Sequence, residues 1–102
     1  MLLPVGALPD DPLAASRHFH SDVLPALIAA LDTADGQATL VFGPADHRHD
    51  DWRRAAVTTL ARARAPLRIN AIAGDDRAGF AATADYIAGA EGLTGQYLVV
   101  EG

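Results

Sequence analysis

Leu67-Arg68-Ile69-Asn70-Ala71-Ile72-Ala73-Gly74 and, some twenty residues on, Leu93-Thr94-Gly95-Gln96-Tyr97-Leu98-Val99-Val100-Glu101-Gly102 frame the second half of the chain. In the first segment, residues 67–72 read as a strand apolar enough to be central. In the second, residues 97–100 read as the last strand. Between them, a helix from about Arg77 to Ala90 places Phe80, Ala84 and Ile87 on one face, with Gly92 as its expected C-cap.

The same alternation runs upstream. Pro66 ends a helix that spans 51–65, with Asp50 and Asp51 at its positive end and Arg62 and Arg64 at its negative end, as the helix dipole favours. Gly43-Pro44 stops a strand over 38–42. Before the Asp35-Gly36 turn, Asp10 or Asp11 caps a helix over 12–32 that has Pro12 near its first position. On it Phe19, Val23, Leu24, Leu27, Ile28 and Leu31 make a broad apolar face, and Pro25 is expected to kink it by removing a backbone hydrogen bond. Residues 1–6 form a short buried strand. The pattern is β-α-β-α-β-α-β, which predicts a four-stranded parallel sheet with three helices in three layers and right-handed crossovers. No repeat, linker or low-complexity tract divides the 102 residues, so one domain is expected over 1–102.

Several residues carry a family resemblance. Leu67 to Gly74 is similar to the I-R-V-N-A-I-A-P-G sixth strand of short-chain dehydrogenases/reductases, without the proline. Ala84-Asp85-Tyr86-Ile87-Ala88-Gly89, Thr94-Gly95-Gln96 and Val100-Glu101-Gly102 resemble that family's last helix, turn and strand. Val23-Leu24-Pro25-Ala26-Leu27 resembles its dimer-forming helix. The resemblance implies a half-Rossmann fold covering the family's fourth to seventh strands.

Measured against that family, the functional positions are vacant. No G-x-G-x-x-G turn is present to bring a backbone close to a pyrophosphate. Aligning the 51–65 helix with the family's Tyr-x-x-x-Lys helix puts Asp50 at the tyrosine position and Arg54 at the lysine position. An ionised aspartate does not donate a proton to a carbonyl, and an arginine holds its proton. The chain has no lysine. The family's serine follows its fifth strand, where Gly43-Pro44 carries no hydroxyl. No catalytic residue and no cofactor are therefore expected. Asn70, Thr94 and Gly95 are read as backbone-bonding and turn residues, and Tyr86 and Tyr97 as half-buried packing residues.

Other chemistry is thinly represented. Zero cysteine excludes disulfides, thiol catalysis and thiolate metal sites. Net charge is −5, all eight basic residues are arginine, and no basic stripe runs along the chain, which argues against nucleic acid. The apolar start is too short for a signal peptide or a membrane span, so a cytoplasmic protein is expected. The histidines form two pairs, His18-Phe19-His20 and His47-Arg48-His49. His47-x-His49-x-Asp51 partly resembles the H-x-H-x-D-H signature of metallo-β-lactamase-like hydrolases, with Trp52 where the last histidine belongs. These three are the weak metal candidates. The alternative is a polar loop whose aspartates cap the next helix. Arg53, Arg54, Arg62, Arg64 and Arg68 are read as the solvent or partner face of a helix rather than an anion site.

The expectation is a non-catalytic domain that oligomerises or serves as an accessory subunit. It would form a dimer with itself or pair with a full-length short-chain dehydrogenase through the helices 12–32 and 51–65. The expected interface residues are Phe19, Val23, Leu24, Leu27, Leu31, Trp52, Ala56 and Leu60. A chain this small buries only about 60–65% of its unfolded surface, which makes association attractive. A small-molecule or nucleotide-binding module without redox activity, with its crevice near Gly43, Gly74 and Thr94, is the alternative. A metal-dependent enzyme at His47, His49 and Asp51 is the third.

Overall fold

The computed structural model describes residues 1–100; Glu101 and Gly102, which the family resemblance includes, lie outside the described residues. Four strands form one parallel sheet in the order β1-β2-β3-β4. They are β1 (Leu2–Pro4), β2 (Gln37–Phe42), β3 (Arg68–Ala73) and β4 (Tyr97–Val99).

The first helical segment runs as α1 (Pro12–His18), a π-helical turn (Phe19–Val23) and α2 (Leu24–Leu31). Asp11 caps it, accepting from the Ala14 N–H at 2.9 Å, with Pro12 at the first position. The irregularity falls just before Pro25 rather than at it. Pro25 lacks an N–H and its ring crowds the carbonyl four residues back. The chain accommodates this with one wide turn, in which the Leu24 N–H reaches the Phe19 carbonyl. The side chains of His20 and Ser21 also donate to the carbonyls of Ser16 and Arg17 across that turn.

A 3-10 turn (His47–His49) leads into α3 (Asp50–Ala63), and α4 (Arg77–Gly89) follows β3. Asp76 caps α4. Gly92 is not its C-cap: the helix ends at Gly89 with Ala90 as the cap. Arg68, projecting from β3, donates to the carbonyls of Ile87, Ala88 and Ala90. A fixed cation at the negative end of the helix takes the place of the expected glycine.

Strand alternation divides the sheet into two faces. Val5, Ala38, Leu40, Phe42, Ile69, Ala71, Ala73 and Tyr97 point to one face and pack against Phe19, Leu27, Leu31, Ala56, Val57 and Leu60 of the helices before β3. Arg68, Asn70 and Ile72 point to the other face. There Arg68 bonds the end of α4, and the buried Ile87 of α4 lies outside the first core. Three layers result. The strands advance in one direction while α4 lies on the face opposite α1–α3, so the three crossovers cannot share one hand. With the first two in the usual right-handed form, the third is the exception. Arg68 anchors the end of α4, Asn70 anchors the loop that follows it, and Ile87 packs α4 on this face.

At Gly74 (φ +139°), an added Cβ would collide with the Val100 carbonyl oxygen, so glycine is required by close approach and backbone conformation together.

Candidate functional site

A parallel sheet brings the C-terminal ends of all its strands to one rim, where the connecting loops leave crevices. Here the loop after β1 and the loop after β2 enclose an open crevice of about 440 Å³. Leu8, Pro9, Pro44 and Ala45 supply apolar wall, and Asp10, Asp46, Arg48, His49 and Arg53 supply polar groups. A second depression of about 290 Å³ shares Pro44 and Ala45 and continues past Gly74 and Tyr97. Thr94 is absent from both. It precedes β4 at the opposite end of the sheet, where its hydroxyl accepts from the Ile69 N–H at 3.1 Å. The expected crevice near Gly43 and Gly74 is therefore present, and Thr94 is not part of it.

The loop after β2 is organised by Asp46. Its carboxylate accepts from the Arg48 backbone N–H at 2.9 Å and from the Arg48 guanidinium at 3.0–3.2 Å. Those hydrogen bonds lower the Asp46 pKa to about 2, and the carboxylate in turn raises that of Arg48. Both side chains are solvent-exposed, so the pair shapes the loop more than it stabilises the fold.

His49 is buried, with both ring nitrogens committed. Nδ1 accepts from the Trp52 indole N–H at 3.1 Å, so Nε2 carries the proton and donates to the Asp10 carbonyl at 2.8 Å. This ties the β1 loop to the start of α3. It also removes His49 from metal chemistry. Among the described residues, His47, His49 and Asp51 do not come together, and no group of three or more candidate ligands does. The first pair diverges as well: His18 faces Asp22 at 2.9 Å, while His20 bonds the Ser16 carbonyl.

Arg53 is where the sequence reading missed. It is 3% exposed rather than solvent-facing. It occupies the buried stripe of α3 with Ala56, Val57, Leu60 and Ala61, and that i, i+3, i+4, i+7 spacing was the available signal. Its guanidinium carbon lies 4.6 Å from the centre of the Phe42 ring and 5.8 Å from that of Trp52. Nη1 donates to the Gly43 carbonyl at 2.9 Å and to the Tyr97 hydroxyl at 3.3 Å, while the buried Nε has no partner among the described residues. Arg54, at the family's lysine position, is exposed. Asp50, at its tyrosine position, is the half-buried first residue of α3.

Of the expected interface residues, Phe19, Leu27, Leu31, Ala56 and Leu60 are buried in this chain's own core, and Val23, Leu24 and Trp52 are partly buried against it. An apolar helix face fits the sheet of its own chain as well as a partner, and the sheet takes it here. Asn70 bonds backbone as expected, donating to Leu93 and accepting from Gln96. Tyr97 is buried beneath Arg53, whereas Tyr86 is exposed on α4 rather than half-buried.

No helix among the described residues is long and apolar enough to cross a membrane. Residues 3–100 match the family described as SDR-like, short chain dehydrogenase-like protein. Neither a curated protein nor a solved structure matches the chain.

Proposed function

The chain belongs to the short chain dehydrogenase-like family, and on that premise we propose that it is a non-catalytic member that acts by association, as a dimer of itself or as an accessory subunit of a full-length dehydrogenase. The observation that carries this reading is the groove between α1–α2 and α3, on the outside of the sheet's first face. It has a volume of about 240 Å³ and is lined by Ser16, Leu24, Trp52, Ala55 and Thr59, among others. Small side chains on α3 let a partner helix approach closely. Leu13, 80% exposed on α1, adds apolar surface beside it.

Five of the expected interface residues, Phe19, Leu24, Trp52, Ala56 and Leu60, line this groove, and Ala55 and Leu13 add its exposed surface. Leu27→Asp would place a charge in the core and unfold the chain whether or not it dimerises. Ala55→Arg and Leu13→Glu alter only the exposed faces. Wild-type protein is expected to sediment as a dimer, or as a heteromer when a full-length dehydrogenase is present. Both variants are expected to be monomeric with an unchanged circular dichroism spectrum. A wild-type monomer that binds no dehydrogenase overturns the reading. The absence of catalysis is supported by Asp50, Arg54 and Gly43-Pro44 at the three family positions. Nicotinamide turnover by pure protein, lost in Asp50→Ala, would overturn that part.

A further inference from the structure

We propose that His49 is a proton-operated latch on Trp52: the groove between α1–α2 and α3 keeps its form while His49 is neutral and is remodelled when His49 gains a second proton. Histidine is the side chain that ordinarily changes charge between about pH 5 and 8. His49 is 3% exposed, and its two nitrogens play opposite parts. Nε2 donates to the Asp10 carbonyl at 2.8 Å, and Nδ1 accepts from the Trp52 indole N–H at 3.1 Å. An imidazolium donates from both nitrogens and accepts at neither, and an indole nitrogen only donates. Protonation therefore leaves the Asp10 bond in place and turns the Trp52 bond into two donors facing each other. Only the groove side of the contact gives way.

Trp52 carries that change into the groove, whose wall it shares with Phe19, Leu24 and Leu60. Its ring centre lies 6.3 Å from those of both His49 and His20. Once its N–H has lost its acceptor, the half-buried indole turns that donor toward water rather than leave it unpaired. The charged and titratable groups around His49 are Asp10 and Asp11 on the loop after β1, Asp46, His47 and Arg48 on the loop after β2, and Asp50, Asp51 and Arg53 at the start of α3. From the π-helical turn, His20 faces Trp52. Asp46 is near enough that a charged His49 helps hold its carboxyl low. Carboxylates outnumber guanidiniums here, so an imidazolium enters surroundings of negative balance. That the remodelled groove sheds a partner rests on the association proposed above; the latch itself does not.

Trp52 is the only tryptophan, so its fluorescence reads the latch directly. From about pH 8 to about pH 5.5 the emission of the wild-type chain is expected to shift reversibly to longer wavelength and to lose intensity, with an unchanged circular dichroism spectrum. His49→Gln keeps a donor and an acceptor in an uncharged side chain and should abolish the shift. His18→Gln, His20→Gln and His47→Gln combined leave His49 as the only histidine and should keep the shift in full, which holds the test should His49→Gln not fold. Emission that stays constant over this range, that changes only as circular dichroism is lost, or that responds equally in His49→Gln overturns the latch. So does a response lost in the single-histidine chain. Sedimentation at the two ends of the range reads the consequence: the dimer or heteromer expected at the upper end should dissociate at the lower. A shift in a chain that is monomeric throughout keeps the latch and overturns the association. An assembly unchanged by the shift overturns the coupling of the latch to the groove.

Discussion

The two faces of the sheet are held by different forces. On the first face, Leu40, Phe42, Ile69, Phe19 and Val57 are fully buried in one apolar cluster, with two helical segments lying across it. On the second face, α4 packs through the buried Ile87, and polar side chains bonded to backbone fix its end and the loop that follows. Arg68 holds the helix C-terminus, and Asn70 bridges Leu93 and Gln96. Toward β1 that face is open: Leu2, pointing the same way as Thr39, is 52% exposed. The first face draws its stability from area removed from water. The second combines a smaller apolar contact, in which Ile72 and Ile87 are fully buried, with directional bonds that fix where α4 ends.

This contrast breaks most sharply at Ile69. Ile69→Ala is expected to cost about 4 kcal/mol, a large share of the stability of so small a domain, and denaturant titration should show the midpoint fall with little change in slope. Asn70→Ala, one residue along and on the other face, should cost about 2 kcal/mol. It removes little apolar area but leaves the Leu93 carbonyl and the Gln96 N–H without partners. A cost equal to that of Ile69→Ala would show that the second face is also an apolar core.

Arg68→Met should cost about 1 kcal/mol globally while loosening α4 selectively. Hydrogen exchange is expected to speed up over residues 84–90 and not over α3. Uniform acceleration would mean that α4 and the first face unfold together.

Asp46 belongs to neither face and gives the smallest effect. Its pKa is lowered in the folded chain from 3.8 to about 2. The stabilisation is therefore fully present above about pH 4 and is lost as pH falls through 2. Asp46→Asn should be slightly less stable than wild type at neutral pH, and the thermal-stability difference should shrink as pH falls from about 4 and vanish below about 2.

Much of the frame was legible along the chain. The four strands and the helices at 12–32, 51–65 and 77–90 follow from apolar periodicity, proline and glycine breaks and acidic caps. These are local signals, and Asp11, Pro12, Asp50 and Asp51 act where the sequence places them. The misreadings share one origin. Gly92 reads as a cap because the sequence shows a glycine near a helix end, yet the last carbonyls are satisfied by Arg68, 24 residues earlier. Arg53 reads as surface because arginine usually is, although its place in the α3 stripe puts it inside. His49 resembled a metal ligand until Asp10 and Trp52 took both its nitrogens.

The sequence by itself determined the order and type of the elements, the parallel sheet and the absence of the family's lysine, tyrosine and glycine-rich signatures. Local preferences and residue identity suffice for these, and both are written along the chain. Only the tertiary structure decided which face α4 covers, which apolar residues the core takes up, and that one arginine is buried beneath the strand ends. Each depends on groups far apart in sequence competing for the same space and the same hydrogen bonds, and that competition is settled only once the strands are side by side.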